Sequence, residues 1–537
     1  MLSMAKNKPW YFLLLVLLSG GLFWLGWPSK PLTFIVFFAF VPILIIEDTI
    51  SKSSVKRKAG KFLFYAYLAL LCWNVFTTYW VYNSTPIGGI FAMVANALLM
   101  CIPLLLFHFV KRSTNIIIGL FSFIVFWISF EYIHLNWELT WPWLTLGNSF
   151  ASLRAVAQWY EYTGALGGSL WILVMNVLIF LLISRISILK EKKWFGKLII
   201  VIVLLAVIPT LISLFIYSNY KEQGEDVEVV VVQPNIDPFN EKFEGGKNFI
   251  PYDRQLERLL ALSEHKITPA TAYLVWPETA LPFGYMETQM EGYEVITALK
   301  RFVARHQGMS LITGMDSYRI YQTKETPSSS LIQGTGYYDG FNTAMQINDK
   351  GVISLYHKSK LVPGVEYVPP ALNAFIINMG GGSGVLGTQK DRTLFFNGAK
   401  TGVAPVICYE SIFGDFVTQY IRNGAELIFI ITNDGWWGNT QGHKQHLQYG
   451  CLRAIETRRS IARAANTGIS GFINQRGDIV EQSEYWLQDV MRRTIKQNKV
   501  ITFYVRYGDY IGRAALYLSL VVLVAAVIFK LRKKNVA

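Results

Sequence analysis

Charge is scarce in this sequence. Only 16% of its 537 residues are Asp, Glu, Lys or Arg, while 52% are hydrophobic; a soluble domain carries about 25% charged residues. A wholly soluble chain is therefore excluded, leaving a membrane protein or a soluble domain with membrane segments attached. Acidic residues are the rarer sign, 36 against 50 basic, for a net charge of +14. A nucleic-acid partner is still not expected, because the basic residues sit beside apolar runs and no basic stripe is interleaved with aromatics. Cysteine is also scarce, with four in all. Cys72 and Cys101 fall inside apolar runs and Cys451 in a helix-like stretch, so no spacing suggests a disulfide framework or a metal site. No metal and no cofactor is expected. The cluster Gly380–Gly384 lacks phosphate-loop spacing, and neither an internal repeat nor a low-complexity segment is visible.

What is abundant is long apolar runs: Trp10–Trp27, Leu32–Ile46, Phe62–Val81, Ile90–Val110, Ile116–Tyr132, Leu170–Ile188, Leu198–Tyr217 and Ala514–Leu531. A span needs about 20 residues, so the second run is short. The first also suits a signal peptide. It lacks a clear small-residue cleavage site, so an uncleaved helix is expected. The count gives a membrane domain of seven helices over residues 1–218, a polar domain over 219–513, and an eighth helix with a basic tail over 514–537. Lysines and arginines follow the second, fourth, sixth and eighth runs, whereas Asn83–Gly89 has none. By the positive-inside rule both termini are cytoplasmic and the polar domain lies on the far side. The stretch Ile133–Gly168, rich in Trp and Tyr, reads as an interfacial or re-entrant segment or, equally, as an ordinary loop with an aromatic belt.

The polar region alternates strand-like and helix-like patterns, as an α/β domain does. Strands are expected at Val227–Gln233, Ala272–Trp276, Ser310–Gly314, Asn342–Ile347, Val352–Tyr356, Gly402–Ile407, Ala425–Thr432 and Ile469–Asn474, with helical spacing in Tyr252–Ser263, Tyr293–Gln307 and His443–Ala465. Three of the apolar runs end abruptly in an ionisable residue: Glu278, Lys358 and Cys408. Sites in open α/β sheets form beyond the carboxyl ends of strands. Each residue alone reads more readily as a surface charge or a core cysteine. Together they offer a carboxylate to take a thiol proton, an ammonium to stabilise an oxyanion, and a nucleophile.

These residues carry a resemblance. Trp276-Pro-Glu-Thr279, Tyr356-His-Lys-Ser-Lys-Leu-Val-Pro363 with Glu366, Cys408-Tyr-Glu410, Thr432-Asn-Asp-Gly-Trp-Trp-Gly438 and the segment 446–466 resemble the nitrilase (carbon–nitrogen hydrolase) superfamily. With apolar helices on both flanks, the whole chain resembles the bacterial apolipoprotein N-acyltransferase family. The resemblance implies a nitrilase-like αββα sandwich joined to an eight-helix transmembrane bundle in the inner membrane, with the catalytic domain periplasmic. It implies a ping-pong transfer without cofactor. A phospholipid gives its acyl chain to Cys408 as a thioester, and the free α-amino group of a diacylated apolipoprotein then takes it. Glu278 would be the base, Lys358 the oxyanion stabiliser, and Glu366, Tyr409 and Glu410 supporting residues. Trp436, Trp437 and Phe243 are lipid-contact candidates, and a monomer is expected.

Two departures are visible. Gly364-Val365 stands where the family commonly has Phe-Gly before the second glutamate, and Phe239 and Phe243 are the aromatics nearest to where it often has a tryptophan. Two segments, Pro282–Met290 and Pro369–Leu386, read as mobile lids or as plain surface loops. A membrane-tethered amidohydrolase with the same triad, or a non-catalytic scaffold, remains as an alternative.

Overall fold

The computed structural model describes residues 8–185, 192–334, 336–368, 385–398 and 401–536. The Gly380–Gly384 cluster and most of the Pro369–Leu386 segment lie outside them. Two compact units emerge, one comprising Met1–Tyr82, Ile87–Asn219 and Tyr507–Ala537, the other Asn83–Pro86 with Tyr220–Arg506.

The first unit is helical: α1 (Pro9–Leu25), α2 (Val41–Lys52), α3 (Lys58–Thr78), α4 (Pro86–Leu99), α5 (Cys101–Ser113), α6 (Ile116–Asn136), α7 (Tyr160–Arg185), α8 (Lys192–Asn219) and, from the end of the chain, α14 (Tyr510–Val536). Among the described residues seven helical segments are long and apolar enough to cross a membrane, one fewer than the expected eight. The difference lies in the first run. Pro9 opens α1 and Gly26 stops it, leaving 17 residues, or about 26 Å at 1.5 Å per residue, against an apolar layer of about 30 Å. Asn115 shows why α6 begins where it does, since its side chain accepts from the backbone N–H groups of Ile117 and Ile118 at 3.0 Å each. Helix α8 presents apolar side chains such as Ile200, Leu211 and Phe215 outward, the surface of a helix whose surroundings are apolar. Two buried carboxylates inside this unit are paired. His108 meets buried Glu47 at 2.7 Å, with Lys111 on its other oxygen. Trp127 Nε1 and the Leu146 backbone N–H donate to Glu131 at 3.0 and 2.9 Å. The aromatic stretch after α6 is no exposed loop. Its 3₁₀ turns bury Trp143, Leu144, Leu146 and Phe150 within the helical unit.

The second unit holds two sheets. The first combines β1 (Asp226–Gln233), β2 (Thr271–Val275), β3 (Leu281–Met286), β4 (Ser310–Tyr321), β5 (Ser330–Ile332), β6 (Gly336–Ile347), β7 (Ile353–His357) and β14 (Asp489–Lys496). Its order is β14-β1-β2-β4-β6-β5, with β3 on β4 and β7 on β6. The second runs β13 (Ile479–Gln482), β12 (Gly471–Ile473), β11 (Ile461–Ala465), β10 (Ala425–Thr432), β9 (Thr401–Ile407), β8 (Phe395–Asn397). Central neighbours β1–β2–β4 and β9–β10–β11 are parallel and need helical crossovers. These are α9 (Tyr252–Glu264), α10 (Glu294–Ala304), α11 (Gly414–Arg422) and α12 (Gln441–Thr457); the short α13 (Phe503–Tyr507) follows β14.

Strands covered on both faces must be apolar on both, and Val229 to Val232 are all fully buried. Val230 and Val232 pack with Leu259, Ile296, Leu299 and Phe302 from α9 and α10. Across the other face the Tyr273 ring meets Phe429 at 5.1 Å, and its hydroxyl donates to Thr401 O at 3.2 Å, so the two sheets pack together. Helices outside and sheets inside make the αββα sandwich. The segment Pro282–Met290 is built into it as β3 and a 3₁₀ turn. Glu287 in that turn accepts from Ser317 at 2.7 Å and contacts His357 at 2.6 Å.

Candidate active site

Three strands deliver the site. Strand β2 ends at Val275, and Trp276 still pairs through its N–H with Ile312 O at 2.8 Å. The chain then turns sharply at Thr279, φ +49°. That turn lies directly on Gly314 of β4, where even a single added carbon would come within 2.6 Å of Glu278 Cα. Glycine is required here by close approach of two backbones. Strand β7 ends at His357, and the Lys358 N–H donates to Asn342 O at 2.8 Å, fixing the lysine at the sheet end. Strand β9 ends at Ile407, and Cys408 follows in the left-handed region, φ +46°. A non-glycine residue there costs about 1–2 kcal/mol, so the surroundings must hold it.

Two elements do so. Glu410 Oε2 accepts from the Ile407 N–H at 2.9 Å. Its Oε1 accepts from Tyr356 OH at 2.6 Å and from the Ser359 N–H at 2.7 Å. One carboxylate therefore ties the thiol turn to the strand end carrying Lys358. Beneath the turn, Ser411 Oγ donates to Cys408 O at 2.7 Å, and His446 Nε2 contacts the same carbonyl at 3.0 Å. His446 is in turn held by Asp434, 3.0 Å from Nδ1, and Asp434 receives Arg463 Nη2 at 2.7 Å. Burial opposes the charge on Asp434, but Arg463 and His446 outweigh it and hold the carboxyl well below its usual range.

The charged centre is compact. Lys358 Nζ donates to Glu278 Oε1 at 3.1 Å and to Glu366 Oε1 at 2.7 Å. Asn342 Nδ2 also donates to both, at 2.8 and 3.3 Å. Glu366 Oε2 takes the Val362 N–H at 2.8 Å, which closes its loop. Burial pulls the Lys358 ammonium down, yet Glu278, Glu366 and Cys408 together hold it well above its ordinary value. It therefore stays a cation. Burial pushes the Cys408 thiol far up and Glu278 adds to this, while Lys358 and a hydrogen bond with Thr432 work the other way. At neutral pH the sulfur is thus a protonated thiol.

Glu278, Lys358, Glu366, Glu410 and Cys408 come together in this cluster. Tyr409 is buried behind the turn, its ring edge-on to Phe413 at 5.1 Å. Trp436 and Phe243 stack with centroids 6.3 Å apart, and Phe239 packs edge-on to Trp436 at 5.0 Å. Trp437 instead sits edge-on to His446 at 5.5 Å. The residues that sequence reasoning missed are Asn342, Asp434, Arg463 and, in role, His446. Asp434 and His446 lie in stretches whose motif was noticed without a task for either.

Residues 19–178 match the family described as Apolipoprotein N-acyltransferase N-terminal domain, and residues 247–504 match Carbon-nitrogen hydrolase. The chain is 30% identical to the apolipoprotein N-acyltransferase of Chlorobaculum tepidum, over 98% of both chains. It is 28% identical to that of Geobacter metallireducens, over 97% of this chain and 96% of the other. The likeness to that of Pasteurella multocida is 27%, over 86% of this chain and 85% of the relative.

Proposed function

Because the chain belongs to the apolipoprotein N-acyltransferase family, we propose that it carries out that family's reaction. It is a multi-pass membrane acyltransferase. It moves a fatty acyl chain from a membrane phospholipid, through a cysteine thioester, to the free α-amino group of the diacylglyceryl-cysteine of apolipoproteins, the last step of lipoprotein maturation.

In the first half-reaction Glu278 takes the Cys408 proton as the sulfur attacks the ester carbonyl. The C–S bond forms, and the oxyanion faces the Lys358 ammonium. The C–O bond then breaks, and the departing lysophospholipid alkoxide takes the proton back from Glu278. In the second half-reaction the amine attacks the thioester, the C–N bond forms, and the thiolate leaves and is reprotonated. A thioester suits this relay, since it is reactive toward an amine while the amide product is far more stable. The observation that carries the assignment is one ammonium bridging two carboxylates, at 3.1 and 2.7 Å, beside a thiol held in a left-handed turn.

Glu278 acts as base, Glu366 orients Lys358, and Glu410 and Tyr409 support the thiol turn. Trp436, Phe243 and Trp437 contact lipid. The helical unit is the membrane domain and the sandwich the catalytic domain. The basic loops after α2, α5 and α7 and the basic end of α14 support cytoplasmic termini in a bacterial inner membrane, with the sandwich periplasmic.

The test is intact mass. Purified protein is mixed with phospholipid and weighed before and after a diacylated lipopeptide is added. An acyl adduct that is discharged only by the lipopeptide is expected. It should vanish in Cys408→Ala and persist in Cys451→Ala. Loss of the adduct to water alone would mean a hydrolase, and no adduct at all would mean a scaffold.

A further inference from the structure

A second ionic cluster borders the charged centre from the far side of the same sheet. His357, the last residue of β7, precedes Lys358 in the chain and is only 4% exposed. Successive side chains of a strand leave opposite faces. Tyr356 and Lys358 therefore share one face, on which Tyr356 meets Glu410 and Lys358 meets Glu278 and Glu366. His357 leaves the other face, where Thr343 of β6 stands opposite it.

There the ring is held on several sides. His357 Nε2 lies 2.6 Å from Glu287 Oε1, and Ser317 Oγ donates to the same oxygen at 2.7 Å. Arg319 pairs through Nε with Glu287 Oε2. Burial opposes the charge on Glu287, but His357, Ser317 and Arg319 outweigh it and hold the carboxyl below its usual range. An ionised carboxylate only accepts, so Nε2 carries a proton and donates it. The imidazole stacks on Phe341 of β6, with centroids 4.0 Å and planes 15° apart. Gly387 backs Phe341 so closely that an added carbon would come within 2.3 Å of the ring. The backbone around Lys358 is clamped as well. The His357 N–H donates to Gln389 Oε1 at 2.8 Å, the Lys358 N–H to Asn342 O at 2.8 Å, and the Ser359 N–H to Glu410 Oε1 at 2.7 Å. Three consecutive N–H groups thus end on the segment before β8, on β6 and on the thiol turn.

We propose that His357 and Glu287 are positioning residues for Lys358: by locking the imidazole they fix the backbone from which the ammonium is aimed at the reacting carbonyl. This rests on the acyl-transfer assignment above. A lysine is a point charge on a flexible stem, so the place where its stem begins decides where the charge can stand. In both half-reactions the carbonyl oxygen carries a negative charge while the tetrahedral intermediate lasts, and Lys358 is the cation that meets it. The pair acts through residue 358 rather than on the substrate. Its loss is therefore felt where charge builds up on an oxygen, and far less where none does.

The test uses full-length protein in detergent. It is acylated by phosphatidylglycerol in a single turnover, discharged by a diacylated lipopeptide and, in a separate arm, alkylated at Cys408 by iodoacetamide, beside a thermal melt. Alkylation displaces iodide from a saturated carbon and builds no oxyanion, so it reads the thiol without the carbonyl chemistry. His357→Phe keeps a ring against Phe341 and removes the donor. Its maximal acylation and discharge rates should fall about a hundredfold, with the half-saturating phospholipid concentration unchanged and alkylation within about threefold of wild type. His357→Gln restores a donor and should recover most of the loss. Glu287→Gln should show the same split in milder form, and the double variant His357→Phe with Glu287→Gln should be no slower than His357→Phe alone, since both cut one contact. Acylation of His357→Phe at the wild-type rate would overturn the inference. So would an equal loss in acylation and alkylation with a lower melting temperature, or a His357→Gln enzyme as slow as His357→Phe, because either makes the cluster structural only. A wild-type enzyme that forms no thioester would instead sink the acyl-transfer assignment itself.

Discussion

Gly314→Ala tests whether the position of Glu278 is set by backbone contact. The new methyl would lie 2.4 Å from Thr279 N, 2.6 Å from Glu278 Cα and 2.8 Å from Glu278 C. All three are backbone atoms, so no side chain can swing aside. Relief to an ordinary contact of about 3.5 Å moves the Glu278 backbone by about 1 Å. Such a shift breaks the 3.1 Å contact to Lys358 and the 2.8 Å contact to Asn342. Overpacking of this kind costs about 1–3 kcal/mol, so the protein still folds. The chemistry suffers more, because a displacement of about 1 Å costs on the order of a hundredfold in rate. The assay is single-turnover acylation of Cys408 by phospholipid, followed by intact mass beside a thermal melt in detergent. Gly340→Ala is the control. It lies in β6, two residues from Asn342, and among the described residues its methyl would meet only Leu386 Cδ2 at 3.7 Å. A Gly314→Ala enzyme acylated at the wild-type rate, or a Gly340→Ala enzyme slowed as much, would refute the reasoning.

Glu410→Ala removes the acceptor of the Ile407 N–H, the Ser359 N–H and the Tyr356 hydroxyl, leaving buried donors unpaired at a cost of about 3–5 kcal/mol in all. A lower melting temperature together with slower acylation is expected, and an unchanged melt would show that the carboxylate does not join the two strand ends. The pH dependence of Cys408 alkylation follows from its environment. Burial first, then Glu278, raise the thiol, so the reactive thiolate is a small fraction at pH 7. Iodoacetamide labelling of Cys408, corrected with Cys408→Ala, should climb steadily with pH through 9, and a plateau below pH 8 would contradict a raised thiol.

The strand ends bearing Glu278, Lys358 and Cys408 were legible because each apolar run stops abruptly at an ionisable residue, a local pattern. The side chains that hold the thiol turn from beneath were not. The stretch His443–Ala465 reads as one helix, since Ala and Arg favour helices. In the structure α12 stops at Thr457, Arg458 turns left-handed at φ +52°, and Ile461–Ala465 becomes β11 between β10 and β12. Tertiary pairing overrides propensity there, and it buries Arg463 against Asp434. Strand β14 has an apolar/polar alternation broken by Arg492-Arg493, which hid it, although it is the antiparallel partner of β1. In the helical unit the apolar runs were plain. Helix α1 fell short because Pro9 and Gly26 bound it, and length is set by such punctuation rather than by hydropathy.

The electrostatics explain why the thiol is held neutral. A preformed thiolate beside Glu278 and Glu366 would add a third negative charge around Lys358 in a buried site, where like charges are costly. With the proton on sulfur, Lys358 already balances one carboxylate and shares the other with Asn342. In the proposed reaction the ester carbonyl draws on the Lys358 ammonium only as it becomes an oxyanion. The ammonium thus favours the transition state over the resting enzyme, which is what a catalyst requires. Replacing Lys358 with methionine would remove that differential and also strand the buried carboxylate of Glu278 and the partly buried one of Glu366, so stability and rate are tied to the same atom. Glu366 is therefore more than a spectator. In the proposed reaction it keeps the ammonium aimed between turnovers, at 2.7 Å.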